Sequence, residues 1–203
     1  MNIAVIGASG KAGSRVTAEL LRRGHRVTAI GRHPEAVQPH ERVVAREGDA
    51  RDPAALAPLI AGHDAVVSAT RFVQIDPAVL IAAVKAAGAK RFLVVGGAGS
   101  LLNAAGRQLV DGDDLPPQVR PEARAGSGFL ALLRAEKTLD WTFLSPSGQF
   151  APGARIGKFR LGGDHLLVAA DGTSSISMED FAIAMADEIE APRHSRRRFT
   201  VGY

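Results

Sequence analysis

A doubly wound parallel α/β sheet is the fold class this sequence predicts, and three observations predict it. Short apolar runs at 2–6, 26–30, 42–46, 64–68 and 91–95 alternate with helix-forming stretches, the rhythm of βα units. The first run passes at once into Gly7-Ala8-Ser9-Gly10-Lys11-Ala12-Gly13 and then into a helix. Strand, glycine turn and helix in that order form a phosphate-binding arrangement. Finally, each polar candidate along this part of the chain falls just after a strand, where such sheets bind ligands.

Composition bounds the rest. The 203 residues suffice for one good-sized core, so a single domain over 1–203 is expected. No apolar run reaches membrane-spanning length, and no basic segment with a cleavage site precedes the first strand. Cysteine is absent, which excludes disulfides and thiolate metal sites and fits a cytoplasmic protein. The net charge of +4 is a weak pointer to nucleic acid. It is equally what a protein holding a phosphate-rich cofactor shows, and nucleic acid is not expected as a partner.

Taken in order, Asn2 to Ile6 is apolar with β-branched members and long enough for a buried strand. Gly7 turns the chain off its end, Gly10 lets a pyrophosphate approach the backbone, and Gly13 lets the helix sit close to the sheet. Ser9, Lys11 and Ala12 share this loop, whose helix amides face the anion. Lys11 is followed by Ala12 where a Walker A loop needs Ser or Thr for magnesium, so that reading fails. A helix over 14–23 places Val16, Leu20 and Leu21 on one face and ends at Gly24.

The second strand ends at Gly31, and Arg32 stands just past it. An acid here would bond a ribose 2′-hydroxyl; a cation suits a 2′-phosphate, although a solvated loop arginine is the competing reading. The third strand ends before Asp49 and Ala50. Asp49 either accepts from an adenine amino group or is only a turn residue before the helix at 53–61. After the fourth strand the small Ala69 and Thr70 leave room for a cofactor backbone. Asp76-Pro77 caps a helix running to Gly88, and the fifth strand leads into Gly96-Gly97.

The stretch 98–128, with Asp111, Asp113, Asp114 and Pro116-Pro117, reads as a loop that can cover a substrate. A helix is expected over 129–138 and a sixth strand over 141–146, closing on Pro146. Two short strands at 156–161 and 165–168 and a capped helix from Ser177 to Glu190 follow. A last strand at 196–201 completes a small C-terminal substrate region.

These residues carry a resemblance. The glycine loop, Val94-Val95-Gly96-Gly97-Ala98-Gly99-Ser100-Leu101 and Asp140-Trp141-Thr142-Phe143-Leu144-Ser145-Pro146-Ser147 resemble the atypical short-chain dehydrogenase/reductases. Within them the chain is similar to the NAD(P)H-binding, NmrA-like group, and most to the NADH-flavin reductase-like proteins linked to Rrf2-type regulators. The resemblance covers nearly the whole chain. It implies a Rossmann fold, NADP(H) or NAD(H) as cofactor, and a flavin or other small-molecule acceptor; Arg32 favours NADP(H). A monomer or homodimer is expected.

Two departures narrow the chemistry. The superfamily's Tyr-x-x-x-Lys pair is missing: Lys137 falls on the expected helix, but Leu133 precedes it by four, and the only tyrosine is Tyr203. Ser147 stands where related flavin reductases carry His after the proline. Ser100, Ser147 and His165 are the catalytic candidates left. Hydride transfer to a flavin or quinone needs no alkoxide protonation and tolerates the gap; a non-catalytic dinucleotide sensor shares the same features. An epimerase or dehydratase needs a base at the nicotinamide and is disfavoured. The histidines have no ligand-like spacing, so no metal site is expected, and the run Arg193 to Arg198 reads as a solvated edge.

Overall fold

The structure, a computed structural model, describes residues 1–112 and 115–203. Eight strands form one sheet: β1 (Asn2–Ile6), β2 (Arg26–Gly31), β3 (Val43–Glu47), β4 (Ala65–Ser68), β5 (Phe92–Val95), β6 (Trp141–Pro146), β8 (Arg160–Gly162) and β10 (Arg197–Gly202). Their order is β3-β2-β1-β4-β5-β6-β10-β8, and every pairing is parallel except that of β8 with β10. Two three-residue strands, β7 (Gln149–Ala151) and β9 (Ser175–Ser177), pair separately.

The strand period explains the two layers. Along β1, Ile3 and Val5 belong to one apolar cluster, and Ala4 and Ile6 to the other. Helices α1 (Lys11–Arg22) and α5 (Met178–Glu190) cover the first face with Val16, Leu20, Phe181 and Met185. Helices α2 (Pro53–Ile60), α3 (Pro77–Ala86) and α4 (Arg120–Ala135) cover the second with Leu56, Leu80 and Phe129. The doubly wound sheet expected from the βα rhythm is therefore present.

Local signals set the helix ends. Asp52 accepts from Ala55 N at 3.0 Å, Asp76 from Ala78 N at 2.8 Å, and Ser177 from Asp180 N at 3.0 Å. Gly24 takes φ +84° where α1 stops.

Three expectations are corrected. Helix α4 begins at Arg120, nine residues before the expected 129, with Pro121 in its first turn. Gly126 and Gly128 made this segment read as loop. Gly126 instead makes room for Phe72, whose ring would lie 2.8 Å from a Cβ there. The irregular stretch thus shrinks to 98–119; Asp113 and Asp114 within it lie outside the described residues. Lys137 falls beyond the helix, which ends at Ala135. Of the strands expected at 156–161 and 165–168, only Arg160–Gly162 forms. The amides of Ile156 and Gly157 donate to Asp180 Oδ1, each at 2.8 Å, and His165 makes an isolated bridge to Leu102.

The run Arg193–Arg198 is only partly a solvated edge, because Arg198 is buried. A second buried arginine, Arg91, ties the start of β5 to α5. Its Nη2 donates to Glu188 Oε1 at 2.6 Å and to Thr142 at 2.9 Å, and Glu188 also accepts from the backbone of Arg193 and His194. Arg91 Nη1 also pairs with the more exposed Asp140 at 3.0 Å, so removing Glu188 takes away the buried one of its two carboxylates and leaves the amides of Arg193 and His194 without their acceptor. The variant Glu188→Ala is expected to lose about 3–5 kcal/mol of unfolding free energy, read by urea denaturation.

Candidate functional site

The chain runs from β1 outward to β3, then crosses back to lay β4 on the other side of β1. The loops leaving β1 and β4 therefore diverge at their carboxyl ends and open a crevice. There the structure holds a groove of about 650 Å³, within the range of small-molecule and cofactor sites. Of the expected residues, Gly7, Ser9, Gly10, Arg32, Asp49, Ala50, Ala69 and Thr70 line it.

The glycine loop forms the groove's floor. Gly7 N donates to Ile30 O at 2.8 Å, and Gly7 turns the chain with φ +80°, where a side chain would strain the backbone. A Cβ on Gly13 would lie 2.1 Å from Gly7 O, so only glycine lets α1 start this close to the strand end. Ala12, half-buried, packs onto the core beside it. Gly10 is the N-cap of α1 and offers no side-chain acceptor; the first turn holds no acid. The other four helices each have a side-chain cap or an acidic first turn. The first-turn amides of α1 have no acceptor within the helix and point to an anion site. Lys11, exposed on that turn, adds a cation.

The walls are mostly basic. Arg32 is exposed and makes no ion pair among the described residues. Asp49 is held by Arg51 through Nη2–Oδ2 at 2.5 Å and accepts from Arg51 N at 2.9 Å. Those bonds, above all the guanidinium, lower its carboxyl pKa to about 2. Asp49 is therefore a turn residue that also borders the groove. Arg71 pairs with Glu122 of α4 at 3.6 Å, while Glu122 accepts from Phe72 N at 2.7 Å. Sequence reasoning missed Arg51, Arg71 and the short 3₁₀ turn Phe72–Gln74. The one available signal was Arg51 two residues after Asp49; nothing local marked the turn, which α4 holds from fifty positions downstream.

The remaining candidates separate. Gly96 is buried, and its missing Cβ would lie 2.4 Å from the Phe143 ring, so it serves strand packing. Gly97 is half-exposed beside Phe72, and Pro146 is buried at the end of β6. Ser100 and Ser147 are buried with hydroxyls that have no hydrogen-bond partner. Arg198 links the two regions, reaching Ser100 O at 3.3 Å and Ser145 Oγ at 3.5 Å. None of these five lines the groove, nor does His165, which is exposed on the bridge to Leu102. Tyr203 Oη donates to the buried Asp180 at 2.8 Å and lies 2.9 Å from Ser177 Oγ; burial, then that carboxylate, raise its pKa. Among the described residues no group of His, Asp and Glu forms a metal site, and no helix is long and apolar enough to cross a membrane.

Comparison with known proteins adds the following. The sequence profile of a family described as NAD(P)H-binding matches residues 7–192. The uncharacterized protein YwnB of Bacillus subtilis is 40% identical over 211 residues, covering 99% of this chain and 98% of that protein. A Bacteroides thetaiotaomicron structure provisionally named an epimerase is 42% identical, with TM-score 0.95, covering 100% of this chain and 96% of that one. A Streptococcus pneumoniae structure provisionally named an NADH-flavin reductase is 34% identical, with TM-score 0.79, covering 100% and 99%.

The Asp49–Arg51 pair can be tested by itself. In Arg51→Ala the Asp49 carboxyl should titrate near the unperturbed value of about 3.9, instead of about 2, in an NMR titration. The sign follows: a depressed folded-state pKa stabilises above pH 4, and that contribution fades as pH falls from 4 towards 2. The variant should lack this component of acid sensitivity.

Proposed function

This chain belongs to the NAD(P)H-binding family, and from that premise we propose that it is a reductase passing hydride from NADPH to a flavin or similar planar acceptor. One observation carries the reading. The groove has a basic rim and an uncapped helix N-terminus, its one histidine, His33, lies 3.2 Å from Glu35, and among the described residues no tyrosine of the kind that carbonyl reduction requires lines it. The bound nicotinamide supplies hydride at its C4.

The chain's own residues bind and orient. The amides at 11–13 and the loop at Gly7, Ser9 and Gly10 take the pyrophosphate. Arg32 takes the 2′-phosphate, and its freedom from ion pairs leaves its donors available. Asp49 and Ala50 border the adenine; Ala69 and Thr70 border the ribose and linking phosphates. Gly97, the half-exposed glycine after β5, leaves the space in which nicotinamide and acceptor rings meet. A flavin accepts hydride at a ring nitrogen, so no side chain has to protonate an alkoxide. The buried hydroxyls of Ser100 and Ser147 and the engaged phenol of Tyr203 fit that chemistry. The same missing tyrosine argues against the epimerase reaction for which one neighbour is named.

Two expected outcomes follow. NADPH should be oxidised with FMN, FAD or riboflavin and not with simple ketones, followed by loss of absorbance at the nicotinamide band. Ser100→Ala and Ser147→Ala should retain that rate; a loss of about 10²–10⁴-fold would reveal a positioned acid or base. Tight NADPH binding without turnover on any acceptor would replace the enzyme by a sensor. Separately, calorimetry should show tighter binding of NADPH than of NADH. Arg32→Ala should erase the difference, roughly tenfold to a hundredfold for one charge-assisted contact.

A further inference from the structure

The end of the sheet opposite the nucleotide groove carries a second concavity. Strand β8 pairs with β10 only over Thr200–Gly202, which leaves the first half of β10 without a neighbour on that side. The notch so formed has a volume of about 480 Å³. Arg134, Arg196, Arg197 and Arg198 line it with a single carboxylate, Asp164. Asp164 is already shared: it pairs with Arg134 at 3.0 Å and with the buried Arg198. Arg196 and Arg197 make no ion pair among the described residues.

Two further features mark the notch as more than a basic edge. Trp141 is in its wall, 2% exposed, and the indole Nε1 has no hydrogen-bond partner. Arg196 is the one non-glycine residue with positive φ among those described, at +51°, fixed there by its amide donating to Trp141 O at 2.7 Å. A cationic side chain is thus held on an unfavourable backbone conformation, directly against the tryptophan strand.

We infer that this notch is a second binding site, for a small phosphorylated anion bearing at least two negative charges. Asp164 neutralises part of the charge and pre-orients Arg134 and Arg198, while Arg196 and Arg197 supply unpaired guanidinium forks for phosphate oxygens. The volume exceeds that of a lone phosphate and leaves space for an organic portion beside the Phe199 ring. The site is independent of the nucleotide groove, since it stands at the amino ends of β6 and β10 and not at the carboxyl ends of β1 and β4.

Trp141 is the only tryptophan in the chain, so intrinsic fluorescence reports on this wall. Inorganic pyrophosphate added to the intact protein should change that fluorescence saturably, and raised salt should weaken the response. Arg196→Gly removes the cation while suiting the positive φ, so the fold is kept, as its circular dichroism melt will show. That variant and Arg197→Gln should each weaken pyrophosphate binding about tenfold or more, and Arg196→Lys should recover part of it. The inference is overturned if no saturable change occurs, or if Arg196→Gly binds pyrophosphate as the parent does. It is overturned equally if citrate or a short oligonucleotide binds in place of pyrophosphate.

Discussion

The approach of Gly13 to the carbonyl of Gly7 is the contact on which the site depends. A Cβ would intrude to 2.1 Å, so the first turn of α1 can sit against the strand end only without one. That closeness aims the uncapped amides of α1 across the crevice. It also sets how α1 lies on the sheet, where Val16 and Leu20 join the core with α5. A second close approach locks the same corner: a Cβ on Gly7 would stand 2.8 Å from Ala69 O at the end of β4. The two strands that border the groove are thus held together by backbone contact, which leaves their loops free to shape it.

The far wall of the groove is built by long-range contacts. Phe72, just past β4, stacks on Phe143 of β6 with ring centroids 6.1 Å apart and meets Phe129 of α4 edge-on at 5.9 Å. Gly126 makes the space, and Glu122 of the same helix holds the Phe72 amide. Helix α4 therefore does two things at once: it covers the second face of the sheet and fixes the loop that borders the groove. Its glycines look helix-breaking in isolation, yet one of them is where the aromatic ring packs.

The C-terminal part is organised by buried charge. Asp180, wholly buried, accepts from Ile156, Gly157 and Tyr203, so one carboxylate gathers the coil after β7, the chain end and the start of α5. Arg91 with Glu188, and Arg198 with Asp164, do the same at the amino ends of the strands. A coil whose amides find a carboxylate has no need of a strand partner, which is why the apolar run at 156–161 stays irregular for most of its length.

The sequence by itself determined the βα alternation, the glycine loop, the helix caps at Asp76 and Ser177, and the position of Arg32. All of these are local: a period, a cap or a turn is set by residues a few positions apart, and the chain displays them directly. Only the tertiary structure decided where α4 begins, that Gly96 serves packing while Gly97 stays half-exposed, that Ser100 and Ser147 are buried, and that Tyr203 is engaged by Asp180. It also decided that Arg198 is buried within a run that reads as solvated. Each depends on a partner far along the chain, such as Phe72 for Gly126 or Asp164 for Arg198. Propensity and spacing carry no record of such pairings, because the free energy that selects them comes from burial and from pairing charge in a low-dielectric interior.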